Sequence, residues 1–120
     1  LEVDIHFLQS DLLSSVIPAK AGIHPPPLFN LIIANLPYVR KDAKHPSTKC
    51  EPDTALYSGE DGLEHYRRLS KQISKNVCKH LIIEIDDKQA EKISSTFPQS
   101  GSIKIIKDLA GLRRIAHISF

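Results

Sequence analysis

Residues 30–39 read NLIIANLPYV, an apolar run that ends in Asn35-Leu36-Pro37-Tyr38. Those last four residues offer an amide, a backbone carbonyl, a proline ring and a phenol. None is a strong acid, base or nucleophile near neutral pH, so their chemistry is to hold a ligand by hydrogen bonds and ring contact. A second polar candidate, Asp11, follows the alternating segment that opens the chain. Taken alone, Asp11 reads as a turn or cap residue, and Asn and Pro after a strand also serve simply to end it.

What must position these residues is a sheet. Leu31-Ile32-Ile33-Ala34 is short, β-branched and uninterrupted, which suits a strand of about residues 29–34 buried on both faces of a parallel sheet. In such sheets the carboxyl ends of the strands line the ligand crevice. Val3, Ile5 and Phe7 alternate with Asp4 and His6, which predicts an opening strand over about 2–8. The stretch from Ser14 to Pro27 holds four of the eight prolines, with three in a row at Pro25-Pro26-Pro27, and is expected to be an irregular insertion that adds little to the core. A loop over 36–57 follows the second strand. Ser58 or Asp61 can cap a helix whose apolar positions Leu63, Tyr66, Leu69, Ile73 and Val77 share one face, with Glu64 and Arg68 spaced for an ion pair. LIIEI at 81–85 reads as another buried strand, and Asp86 or Asp87 can cap a helix of about 87–97 ended by Pro98 and Gly101. Ser102–Lys107 and Arg114–Phe120 form two last strands, joined closely enough through Asp108-Leu109-Ala110-Gly111 for a hairpin.

The chain has 120 residues, 41% of them hydrophobic and 25% charged, as expected for one globular domain or part of one. Its 16 basic and 14 acidic residues are mixed along the sequence, so no basic tract argues for nonspecific nucleic-acid binding. No apolar run approaches the roughly 20 residues that span a bilayer, and the N-terminus lacks the pattern of a signal peptide, so a cytoplasmic protein with no membrane partner is expected. Cys50, Cys78 and the six histidines show no ligand spacing, and no metal centre is expected. The chain contains no methionine and opens inside a strand-like pattern, which leads to the expectation that it is a portion of a longer protein.

With its elements in this order, the sequence resembles the class I S-adenosylmethionine-dependent methyltransferases, and among them the family that methylates the glutamine side chain of peptide chain release factors. The resemblance is carried by Asp11 after the first strand and by FNLIIANLPYV, where that family has a strand ending in Asn-Pro-Pro-Tyr. It continues through EPDTALYSGEDGLEHYRRL, LIIEIDDKQAEKI and KDLAGLRRIAHI in the family's order. It implies an α/β fold: the second half of a Rossmann-like methyltransferase sheet, mostly parallel, with an antiparallel C-terminal hairpin and three layers. It implies that the side-chain oxygen of Asn35 and the carbonyl of Leu36 accept the two hydrogens of a substrate amide while Pro37 and Tyr38 shape the seat beside it. By the same resemblance S-adenosylmethionine is the cofactor, bound along Asp11 and Leu12 and next to Asn35, and a release factor is the protein partner. Glu84 and the pair Arg113-Arg114 are read without a role, the first as a satisfied carboxylate and the second as a solvated hairpin face.

Three features depart from the family. Leu36 replaces the first proline of the motif but keeps the carbonyl. Asp86 stands where glycine is common after Glu-Ile, which would strain the turn if its φ were positive. The glycine-rich cofactor loop and the substrate-binding domain that precede Asp11 in the family have no counterpart in residues 1–120, since Gly22, Gly59, Gly62, Gly101 and Gly111 form no G-x-G after a strand. Residues 1–120 are therefore expected to be part of a catalytic domain, inactive by themselves. Two other readings stay open. An adenine amino-methyltransferase of DNA or RNA would use the same hold on a planar nitrogen, and a truncated remnant would keep the fold without activity.

Overall fold

The computed structural model describes residues 3–17, 29–42 and 52–120. Its centre is a four-stranded sheet built from β1 (Phe29–Ala34), β2 (Cys78–Glu84), β3 (Ser102–Lys107) and β4 (Arg113–Ser119), in the order β1-β2-β4-β3. β1 and β2 run parallel, with Ala34 opposite Ile83, while β4 is antiparallel to both β2 and β3. The α/β class, the neighbouring of 29–34 with 81–85 and the closing hairpin are as the sequence led us to expect. In the hairpin connection the Asp108 carboxylate accepts from the backbone N–H groups of Ala110 and Leu112, at 2.9 and 3.0 Å, and Gly111 takes the positive φ of 83° that the turn requires.

The helical segments are α1 (Asp53–Leu56), α2 (Glu64–Gln72) and α3 (Ile93–Thr96), the last preceded by a 3₁₀ segment over Asp87–Lys92. Leu63, Tyr66, Leu69 and Ile73 recur at helical spacing and are all buried, so α2 lays one apolar face on the sheet. The N-cap is Leu63 rather than Ser58 or Asp61, yet both brace the helix start: Asp61 accepts from the N–H of Leu63 at 3.1 Å and the buried Ser58 hydroxyl from that of His65 at 2.9 Å. The helix ends at Gln72, before Val77, and Arg68 pairs with Asp11 rather than with Glu64. The segment expected as one helix over 87–97 begins as 3₁₀ and becomes α-helical only at Ile93.

The core lies between α2, α3 and one face of the sheet. Leu81, Ile83, Ala116 and Ile118 point into it from the central strands, with Ile85, Ile93 and Phe97 packed around them, all fully buried. The opposite face is different. Leu31 and Ile33, in register with His80 and Ile82, are exposed, Ile33 to 72%, and Ile106 and Ile115 are also exposed. The three layers expected are therefore two among the described residues, helices on one face of a sheet, and β1 is half-buried rather than buried on both sides.

The opening strand is a second correction. Residues 3–8 take no strand conformation, and Val3, Ile5, Phe7 and Leu8 are exposed, Phe7 to 93%. Alternation confers strand structure only where a neighbouring strand satisfies the backbone, and these residues pair with none among those described. Beyond them, residues 11–17 turn back on themselves through bonds from the N–H groups of Val16 and Ile17 to the carbonyl of Leu13, and Leu12, Leu13 and Ile17 pack against the core. Ile17, expected to be part of an idle insertion, thus contributes to packing; the rest of that insertion, 18–27, lies outside the described residues. No helix among the described residues is long and apolar enough to cross a membrane.

One buried and one exposed face make a direct comparison possible. Ile83→Ala is expected to lower the unfolding free energy by about 2–5 kcal/mol, as for a buried aliphatic side chain cut to a methyl. Ile33→Ala should change it by no more than about 0.5 kcal/mol. Denaturant midpoints of the two variants give the answer, and equal losses would mean that both sheet faces are packed in solution.

Candidate active site

Asn35, Leu36, Pro37 and Tyr38 leave the carboxyl end of β1 directly beside Glu84, Ile85 and Asp86 at the end of β2, because the parallel register carries Ala34 to Ile83. Asn35 is exposed, and its amide takes no side-chain partner among the described residues. Leu36 and Tyr38 are half-buried and packed against the core. The phenol of Tyr38 donates to Glu84 Oε1 at 3.1 Å, so the Glu84 carboxylate is satisfied, as expected, and its partner is the motif itself. Burial, and then the charge of Glu84, push the Tyr38 phenol above its ordinary pKa and keep it a hydrogen-bond donor. Below it the buried Tyr66 donates to the carbonyl of Glu84 at 2.5 Å, and burial raises its phenol further.

The backbone after Tyr38 is tied down as well. Val39 donates to Leu56 and accepts from Ser58, each at 2.9 Å, and forms a parallel bridge with Tyr57. This places α1 and the Gly59-Glu60-Asp61-Gly62 turn against the motif. Gly62 has φ of 74°, and a Cβ there would stand 2.2 Å from the carbonyl oxygen of Tyr38. The glycine that completes Gly-Glu-Asp-Gly-Leu is therefore needed by this contact as well as by its own backbone. An open cleft of about 630 Å³ begins at Tyr38, lined by Arg40, Lys88 and Lys92 together with Asp42, Glu60, Asp61 and Asp86. Asp61 is held below the usual carboxylate range by the guanidinium of Arg67, to which it is doubly bonded.

Asp11 and Leu12 belong to a turn that packs on α2 and the core. The Asp11 carboxylate pairs with Arg68 of α2, the next turn is anchored by the N–H of Leu13 on Gln72 Oε1 at 2.8 Å, and Leu12 holds a φ of 54°. No hydrogen bond joins this segment to Asn35–Tyr38 among the described residues. Asp86 is unstrained, with φ of −76°. It caps the 3₁₀ segment, accepting from the N–H of Lys88 while Gln89 accepts from its own N–H. Cys78 is buried, which raises its thiol pKa and suits a packing role; Cys50 and Glu51 lie outside the described residues.

Two contacts were missed in the sequence. Gln89 is nearly fully buried, and besides capping it donates to the carbonyls of Tyr38 and Gly62, at 3.1 Å each. The Asp86-x-x-Gln89 spacing of a capping box was its only visible sign. Arg113, read as a solvated face, instead grips Asp87 from across the sheet end, Nε to Oδ1 at 3.0 Å and Nη2 to Oδ2 at 3.1 Å, while Arg114 lies 3.6 Å from Asp108.

No family model matches the chain. Curated relatives do. One from Deinococcus radiodurans, a release factor glutamine methyltransferase, is 30% identical over 118 residues, covering 93% of this chain. Another of the same name from Clostridium botulinum is 33% identical over 123 residues and covers 96%. The chain belongs to the release factor glutamine methyltransferase family. It spans 39% and 41% of the length of these two relatives. A solved structure from E. cuniculi, the Mtq2-Trm112 complex for methylation of the eRF1 termination factor, superposes with a TM-score of 0.58. The match covers 93% of this chain and 59% of that one, and at 17% identity it supports the methyltransferase fold alone. The chain carries its Asn-x-Pro-Tyr motif at a strand end that the fold leaves accessible.

The Asp87–Arg113 grip makes stability depend on acid. Three hydrogen bonds from Arg113, two from its side chain and one from its backbone N–H, hold the Asp87 carboxyl down at about 2, so its contribution is complete above the ordinary carboxylate pKa of about 3.9 and is lost as pH falls toward about 2. Urea midpoints followed from about pH 5 downward should fall more steeply for the parent than for Asp87→Asn. Parallel curves would show that the ion pair does not form in solution.

Proposed function

We propose that this chain is the part of a methyltransferase that holds the acceptor, a glutamine side-chain amide of a peptide chain release factor, for transfer of a methyl group from S-adenosylmethionine. The observation that carries the reading is the exposed Asn35 amide at the carboxyl end of β1, followed by a phenol that Glu84 fixes in place. The family relationship supports the choice of substrate.

An amide nitrogen is a poor nucleophile because its lone pair is delocalised, so position and orientation are what the protein contributes. Asn35 Oδ1 and the carbonyl of Leu36 accept the two N–H groups of the substrate and set the direction of the nitrogen. Both acceptors favour that nitrogen more as it becomes positive. Tyr38 packs beside the flat amide with its hydroxyl turned away to Glu84, and Pro37 keeps Leu36 extended. S-adenosylmethionine supplies an electrophilic methyl group on a sulfonium. Of the residues assigned to it by the resemblance, Asn35 and the Asp11 carboxylate are exposed and within reach of a ligand, while Leu12 is half-buried against the core. The pair of Asp11 with Arg68 is of the solvent-exposed kind, worth roughly 0–1 kcal/mol, so a ligand can compete for it. Four carboxylates and three cationic side chains line the cleft beside Tyr38, a mixed surface that suits a peptide with charges of both signs better than a nucleic-acid backbone.

Transfer of labelled methyl to a purified release factor, by the longest product of the reading frame that contains these residues, tests the function. Asn35→Ala is expected to lower the rate by roughly 10²–10³, as for loss of one preorganised hydrogen-bonding group. Leu36→Pro, which restores the common family residue and keeps the carbonyl, should leave it within about fivefold, since the added rigidity is worth only about 0.4–1 kcal/mol. Equal turnover by Asn35→Ala and the parent would end this mechanism, and no methyl transfer by any form would favour a noncatalytic remnant.

Residues 1–120 alone are expected not to bind S-adenosylmethionine tightly. The free edge of β1 has no strand beside it among the described residues, and no glycine loop in the sequence follows a strand to receive the cofactor's methionine end. Calorimetric titration of the isolated chain should show no one-to-one binding at micromolar affinity; such binding would show that Asp11, Leu12 and Asn35 suffice.

A further inference from the structure

We infer that Gln89 is a positioning residue for the Asn35–Tyr38 motif, clamping the carbonyl of Tyr38 to that of Gly62 and so setting where the substrate-holding atoms stand. The inference rests on the methyltransferase reading for its consequence in catalysis, but its geometry is independent of it. Gln89 is only 5% exposed, and its amide is used at both ends. Oε1 accepts from the N–H of Asp86 at 3.0 Å, which fixes the side chain to the end of β2. Nε2 then spends its two hydrogens on carbonyls from two other parts of the chain, Tyr38 and Gly62, at 3.1 Å each. Gly62 lies so close that a Cβ there would meet both Tyr38 O, at 2.2 Å, and Gln89 Nε2, at 2.5 Å. Three segments distant in sequence thus converge on one primary amide. A capping residue needs only the acceptor; the donor half has no role in the cap and serves the motif.

The two halves can be separated by substitution. Gln89→Glu keeps the acceptor for Asp86 and removes both donors, whereas Asp86→Ala removes a cap acceptor and leaves the Gln89 donors in place. In the 120-residue chain, amide exchange at Val39 and Ser58, whose N–H groups hold the motif to the α1 segment, is expected to quicken at least tenfold in Gln89→Glu. In Gln89→Met, which adds no carboxylate beside it, the Tyr38 phenol should titrate at lower pH than in the parent, because a released motif exposes it to water. Asp86→Ala should leave the exchange at Val39 and Ser58 near the parent value. Protection of Phe97 and the ring signals of buried Tyr66 report whether each variant is folded. If Gln89→Glu fails to fold, Gln89→Met, which keeps the length and loses the donors, takes its place.

Unchanged Val39 and Ser58 exchange in a folded Gln89→Glu or Gln89→Met variant would overturn the inference. So would equal acceleration in Asp86→Ala, since the cap alone would then explain it. Exchange and titration need neither cofactor nor substrate, so they stand even if the methyltransferase reading fails. In a methylating form of the protein the same Gln89→Glu change should lower kcat at least tenfold and leave the KM for S-adenosylmethionine unaltered. An unaltered kcat despite accelerated exchange would keep the clamp and remove its catalytic consequence.

Discussion

Parallel pairing of β1 with β2 is the constraint on which the site depends. Parallel strands end on the same side of a sheet, so the register that sets Ala34 opposite Ile83 delivers Asn35–Tyr38 and Glu84–Asp86 to one rim. The phenol of Tyr38 on Glu84 and the amide of Gln89 between Asp86 and Tyr38 bridge these two strand ends, and the hydroxyl of Tyr66 on α2 supports them from below at the carbonyl of Glu84. A register shift of one residue would turn Leu81 and Ile83 out of the core and break all three contacts together.

The rim is held firmly because its supports are buried. Tyr66, Ser58 and Gln89 carry polar atoms into a core of Leu, Ile and Phe side chains, and every buried side-chain nitrogen and oxygen among the described residues has a hydrogen-bond partner. In such surroundings a missing partner costs more than a present one contributes, which makes the network specific as well as stabilising. Gly62 belongs to the same logic: the close approach of its backbone to Tyr38 leaves no room for a side chain.

The sheet itself is one-sided. Its inner face is packed by α2 and α3, while Leu31, Ile33, Ile106 and Ile115 present aliphatic surface outward, and the free edge of β1 has no strand beside it among the described residues. The Asp87–Arg113 grip and the Asp108 turn fix the hairpin edge at the other side. The alternating segment at residues 3–8 pairs with no strand among the described residues, and strand structure is a property of a pair.

Short β-branched runs, one amphipathic helix and a turn with Asp and Gly at set positions were enough to place β1, α2, β2 and the hairpin, because each is determined by its own period and punctuation. The Asn-x-Pro-Tyr ending and the Gly-Glu-Asp-Gly-Leu stretch were legible for the same reason, as local patterns in a given order. Burial on one or both faces of β1, the fate of the opening strand, and the partners of Asp11, Arg68 and Arg113 were not legible, since each depends on which distant surface comes to lie alongside. Gln89 marks the boundary between the two. Its spacing from Asp86 announced a cap, a contact within four residues, but its hold on Tyr38 and Gly62 spans 51 and 27 residues. Local spacing reaches only as far as the backbone of one element, and contacts of that length exist only once the parallel pair has formed and the core has closed beneath it.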